Sequence, residues 1–261
     1  MDIFQFDPRT ILSFYLTLFR ISVVLFIMPF FGDTIPNVVK ATLLIVLTLA
    51  LWPKLSFPAE QYPAHAMNIA VMFAGELILG MCLGIIVRML IAAVQIGGQI
   101  INFQMGFSMV NAIDPMTGMQ EPVTTHFLYM CTMLTFLSLN GHLHLLKAMG
   151  ASFDIVPPGG LFLTPKLMTE LMLFSKQMFI LGVRIAAPVI LALFLTDLAL
   201  ALISKMAPQM NVMVMGFPVK IMVGFLFLTF IMQIMGDYIA SFIAAMDEVM
   251  LHIMRVGVAK P

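Results

Sequence analysis

The chain has 261 residues, 61% of them hydrophobic and only 10% charged, with a mean hydropathy of +1.05. Ordinary soluble domains carry about 25% charged residues, so this composition excludes one and points to an integral membrane protein or part of a large apolar assembly. Thirteen basic and thirteen acidic residues cancel, and no basic tract offers a nucleic-acid or polybasic lipid-binding surface.

In chain order, MDIFQFDPRT lacks the basic region of a cleavable signal peptide, so the first apolar run is expected to act as an uncleaved insertion signal. That run, residues 10–28, is broken only by Arg20 and a few hydroxyls, and PFFGDTIP reads as the turn that ends it. A second run, residues 38–51, has 14 residues. About 20 are needed to cross the hydrocarbon core, so this one packs more readily than it spans. PKLSFPAEQYP is a loop. The third segment begins near Met67, carries Glu76, and continues through RMLIAAVQIGGQIINFQ with Arg88, Gln95, Gln99 and Asn102 on one stripe. Residues 124–139 and 167–203 are further apolar runs, the latter interrupted by Arg184, Pro188 and Asp197. NGHLHLLKAMGASFDIVPPGG lies between them, and SKMAPQMNVMVMGFPVK precedes a final helix over residues 221–255 that carries Asp237. The expectation is an all-α, polytopic membrane fold of about six helical segments in one domain, residues 1–261, with no competing β pattern.

Charges within these helices are costly, about 2.5–3.5 kcal/mol at a helix centre in lipid. Glu76, Arg88, Arg184, Asp197 and Asp237 each therefore need a partner, a neighbouring subunit or a water-filled cavity. Buried pairing is favoured over a proton pathway, because the acids are spread along the chain rather than gathered at broken helices. Glu76 and Arg88 are too far apart for an intrahelical pair. Cys82 and Cys131 read as small buried hydrophobes. On a helix His142 and His144 would point to different faces and would not share a metal, so a cap or loop role after Asn140-Gly141 is expected. No nucleophile motif, phosphate-binding glycine loop or acid–base constellation is present, which argues against an enzyme and against any cofactor.

Two stretches break the helical pattern. Residues 104–122, QMGFSMVNAIDPMTGMQEP, hold two glycines, two prolines, four methionines and only two charges. Residues 206–217 hold Met206, Met210, Met213, Met215 and Phe217. Irregular backbone at membrane depth is tolerated only where protein encloses it or a cavity borders it. Methionine supplies an apolar surface that repacks around changing shapes. Together these features read as re-entrant or pore-associated loops.

GFSMVNAIDPMTGMQEPV, NGHLHLLKAMGASFDIVPPGG and APQMNVMVMGFPVK, with the MPFFGDTIP turn and the FAGELILGMCLGI helix, resemble the family of the flagellar biosynthesis protein FliR and its injectisome counterparts over nearly the whole chain. The resemblance implies a helical export-gate assembly in the bacterial inner membrane and flagellar basal body, largely on the periplasmic side of the membrane plane. It implies FliP and FliQ as co-subunits, FlhB and FlhA as further partners, membrane lipid around the gate, and unfolded flagellar proteins as cargo. It assigns residues 106–122 to a pore plug that includes Gly106, Phe107, Met109, Ile113, Asp114, Pro115, Met116, Gly118 and Met119. Met206, Met210, Met213, Met215 and Phe217 would lie near a Met-rich gasket. The alternative of another class is a proton-coupled small-molecule transporter.

Overall fold

The computed structural model describes residues 8–31, 35–52, 65–107, 122–160, 164–209 and 211–257. Among these the chain is helical and contains no strand. The α-helices are α1 (Pro8–Ile27), α2 (Asn37–Leu51), α3 (Ala66–Gln104), α4 (Val123–Ser138), α5 (Gly141–Ile155), α6 (Pro165–Met206) and α7 (Val212–Gly257), with a short 3-10 turn at Pro29–Phe31. Four helices are long and apolar enough to cross a membrane, namely α1, α3, α6 and α7. At 1.5 Å per residue, the 39, 42 and 46 residues of α3, α6 and α7 extend about 58, 63 and 69 Å. That is roughly twice the hydrocarbon thickness, so a large part of each must lie outside lipid tails.

Two segments differ from the sequence reading. Residues 141–155, at whose start His142 and His144 are expected in a cap or loop role, form a helix, and the pattern behind it is regular. Gly141, Leu145, Ala148, Met149, Ser152 and Phe153 are buried along one face, the spacing of an amphipathic helix. Asn140, in the left-handed conformation at φ 59°, turns the chain sharply between α4 and α5. His142 and His144 thus sit on a helix, two positions apart. The other difference is the start of α7. Helix α6 ends at Met206 and α7 begins at Val212, so much of the second broken stretch is helical in spite of Gly216 and Pro218. Proline removes one backbone bond from a helix, and apolar helices tolerate that loss where neighbours compensate.

The chain's contacts cluster into two compact units. One comprises residues 1–88, 140–173 and 243–261, and the other residues 89–139 and 174–242. In the first, α1 buries Ser13, Leu16, Thr17, Arg20, Ile21 and Val24, a stripe of period 3.6. It packs against α3 at Gly80 and Gly84. A β-carbon at either glycine would lie 2.8 Å from Val23 or Ile27, so the small-x-x-x-small spacing lets the helices touch. The Trp52 indole N–H donates to Ser13 Oγ at 3.2 Å and fastens the end of α2 to α1.

In the second unit adjacent glycines serve two neighbours. Gly97 faces the Gly182 carbonyl of α6, where a β-carbon would approach to 2.9 Å, and Gly98 faces the Thr125 backbone of α4, also at 2.9 Å. Hydroxyls within the helices satisfy themselves locally. Thr17 donates to the Ser13 carbonyl at 2.8 Å, and Thr132 to that of Leu128 at 2.7 Å, so these polar atoms need no water.

Candidate functional site

The first candidate site is the root of the 106–122 stretch, in the second unit. Gly106 has φ +87°. Its N–H donates to the Phe103 carbonyl at 3.1 Å, and the Phe107 N–H to that of Asn102 at 3.3 Å. This pair of bonds around a left-handed glycine closes the carboxyl end of α3 in a Schellman motif. Glycine is required there twice over, since a β-carbon would also lie 2.8 Å from Cε1 of Phe217. Met105, fully buried, occupies a notch at Gly224, where a β-carbon would come within 2.6 Å of its Cε. Across the base of the stretch, Thr124 Oγ1 donates to Asn102 Oδ1 at 3.0 Å. The end of α3 and the start of α4 are thus held together, and α7 clasps the end of α3.

Of the expected plug residues, Gly106 and Phe107 are described, while Met109, Ile113, Asp114, Pro115, Met116, Gly118 and Met119 lie outside the described residues. Of the second methionine group, Met206 is 86% exposed at the end of α6 and Met215 is exposed on α7. Phe217 reaches back to Gly106. Met210 and the side chain of Met213 lie outside the described part. Beside Phe217, Lys220 forms an ion pair with Asp197 across the α6–α7 hairpin. The two line a cleft of about 360 Å³ with Ser204 and Gly216.

The remaining charges fall into contrasting settings. Glu76 is buried in the first unit and bonded to Arg20, itself fully buried. Arg20 Nη2 donates to Glu76 Oε1 at 2.9 Å, and Arg20 Nη1 to Ser152 Oγ at 3.1 Å. The Gly159 N–H, in a left-handed turn, donates to Glu76 Oε1 at 2.8 Å. The guanidinium lies 4.2 Å from the Phe153 ring centroid. Each guanidinium nitrogen and each carboxylate oxygen of the pair has at least one partner, which offsets its desolvation. By contrast Arg88, Arg184 and Asp237 lie on exposed helix faces and make no ion pair with another described residue. His144 Nδ1 lies 3.1 Å from Asp247 Oδ2, an oxygen that Lys147 Nζ approaches at 3.5 Å. Among the described residues no group of three His, Cys, Asp or Glu converges to hold a metal.

The family model described as "Bacterial export proteins, family 1" matches residues 11–246. The chain belongs to this family of bacterial export proteins. It is 35% identical over 255 residues to the flagellar biosynthetic protein FliR of Bacillus subtilis strain 168, covering 95% of this chain and 96% of the relative. To the FliR of Escherichia coli K12 it is 30% identical over 226 residues, 86% of each chain. To the Yop proteins translocation protein T of Yersinia pestis it is 28% identical over 251 residues, 94% of this chain and 95% of the relative. In this bacterial export protein, the residues hardest to read from sequence are those whose role depends on a distant segment, whether through contact or through charge. Arg20 reads only as an interruption of the first apolar run, Met105 only as one of four methionines in residues 104–122, and Ser152 and Gly224 carry no individual signal. The available signal is the position of Arg20 near the middle of α1.

Proposed function

We propose that this chain is a non-enzymatic subunit of a flagellar type III protein export gate. With FliP and FliQ, and with FlhB and FlhA as neighbours, it encloses a channel through which unfolded flagellar proteins cross the bacterial inner membrane. Residues 1–261 act as one functional domain in this gate, set largely on the periplasmic side within the basal body. Residues 106–122 plug the closed channel, with Phe107, Met109, Ile113, Met116 and Met119 as its apolar contacts and Gly106, Asp114, Pro115 and Gly118 as its bends. Met206, Met210, Met213, Met215 and Phe217 border a compressible Met-rich seal.

The family match over residues 11–246 carries the export assignment. Three further observations support the gate. Helices about twice as long as the hydrocarbon core is thick need protein around their outer parts. Large apolar side chains such as Val38 and Met172 in one unit, and Phe194 and Met222 in the other, are more than half exposed, and apolar surface exposed to this extent is covered by lipid or other chains. The contacts of Met105 with Gly224 and of Gly106 with Phe217 fix the point at which the proposed plug leaves α3.

The test replaces residues 106–122 with a short glycine–serine linker and measures small-solute leakage across the membrane. Leakage through an assembled complex is the expected result. An assembled complex that stays ion-tight without the segment refutes the plug.

A further inference from the structure

Arg184 lies near the middle of α6, 19 residues from Pro165 and 22 from Met206. Its side chain is exposed and has no ion partner among the described residues. Pro188, four residues on, has no N–H to give the Arg184 carbonyl, so a backbone acceptor is freed at the same level. Arg184 borders a cleft of about 370 Å³ in the second unit, lined by Gln177, Leu181 and Phe174 of α6, Met89 of α3 and Phe242 of α7. The Phe174 and Phe242 rings, with centroids 6.3 Å apart, form part of its wall. The nearby contact of Gly97 and Gly182 keeps α3 and α6 in close apposition.

We infer that this cleft is a docking site for an apolar helix of another protein chain, one that carries a carboxylate opposite Arg184. The inference rests on the export-gate reading above and specifies one of its subunit contacts. An outward-facing arginine amid apolar side chains requires a negative partner, and guanidinium meets carboxylate in a bidentate fork. The spacing of polar groups selects a helix over a lipid. Gln177 and Arg184 are seven residues apart, which sets them on one face about 10.5 Å apart along the axis, with Ile180 and Leu181 between them. A phospholipid is polar at one end only and cannot match two polar levels separated by an apolar one. A second helix alongside presents its own positions i and i+7 at the same spacing, a carboxylate to Arg184 and an amide or hydroxyl to Gln177.

The test places a benzophenone amino acid at Ile180, which is exposed and lines the cleft. The full complex is then irradiated in native membranes and the cross-linked peptide sequenced. The expected product joins Ile180 to an apolar helix of an unlike chain that contains Asp or Glu. Arg184→Glu should lower its yield at least about tenfold, Arg184→Lys should retain most of it, and reversing the partner's acid to arginine should restore the yield in Arg184→Glu. A complex that stays assembled but labels only phospholipid, or a helix without an acid, overturns the docking site and leaves the gate reading intact. An unchanged yield in Arg184→Glu does the same. A wild-type chain that purifies with no unlike partner overturns the gate reading and this inference together.

Discussion

Arg20 and Arg184 are both arginines on long apolar helices, yet the first is fully buried and the second exposed. Around Arg20 the chain supplies a carboxylate, a hydroxyl, an aromatic ring and, through Glu76, a backbone N–H from the Gly159 turn. Around Arg184 it supplies an open cleft with one amide and no acid. In one region the chain completes its own electrostatics, and three separate segments are fixed relative to one another as a result. In the other it presents a charge that no described residue neutralises. The first pattern belongs to stability, and the second to assembly.

The sharpest way to break this comparison is to unbalance the buried pair. Glu76→Leu leaves Arg20 buried without its counter-charge, and breaking such a pair costs about 3–5 kcal/mol. The chain should then be lost from membranes, as read by its steady-state level and by thermal unfolding in detergent. The double variant Arg20→Met, Glu76→Leu should recover much of that loss, because an apolar pair of similar volume needs no desolvation. If Arg184→Met destabilised the isolated chain as much as Glu76→Leu, the contrast would fail. The expected outcome is near-normal stability with impaired assembly.

Next in size is the glycine contact beneath the cleft. Gly182→Val would thrust a side chain at the Ala93 carbonyl, which a β-carbon already approaches to 2.8 Å. Overpacking of this kind costs about 1–3 kcal/mol or more. Thermal unfolding of the variant, alongside Gly150→Val, whose site has no neighbour nearer than 3.7 Å, separates backbone contact from loss of glycine alone.

Gly106→Ala should cost about 1–2 kcal/mol from its left-handed backbone, plus the collision with Phe217. In a Phe217→Ala background the same change should show only the backbone cost, a difference visible when the double variant's unfolding midpoint is compared with that of Phe217→Ala alone. The smallest effect is expected at Asp197→Asn. This ion pair with Lys220 is 43% exposed on the aspartate side, and such pairs contribute at most about 1 kcal/mol. A larger loss of stability there would mean that the α6–α7 hairpin depends on the pair.

Much of this fold can be read from hydropathy alone. Long apolar runs ending at proline or glycine mark α1, α3 and α6, and Gly106 is legible as a helix terminator. The helix over residues 141–155 was hidden because asparagine, glycine and two histidines at its start resemble a loop, while its buried face uses small residues such as Ala148 and Ser152. The amino-terminal turns of α7 were hidden by Gly216 and Pro218, whose local preferences are overridden when an apolar helix has neighbours. The charges show a similar limit. Composition identifies which residues need partners, but Arg20 and Glu76 are 56 positions apart, and only the packing of α1 against α3 at Gly80 and Gly84 brings them together. The exposed state of Arg88, Arg184 and Asp237 was equally illegible, since a helix that buries a charge within its own chain and one that offers it to another have similar sequences.

If the export-gate proposal holds, this chain completes itself only within a mixed assembly. That proposal is tested most directly by solubilising membranes in mild detergent, purifying the chain under native conditions and measuring the mass and subunit identity of what it brings with it. The expected result is a discrete complex containing FliP and FliQ. A stable homodimer that transports a small solute would contradict the proposal.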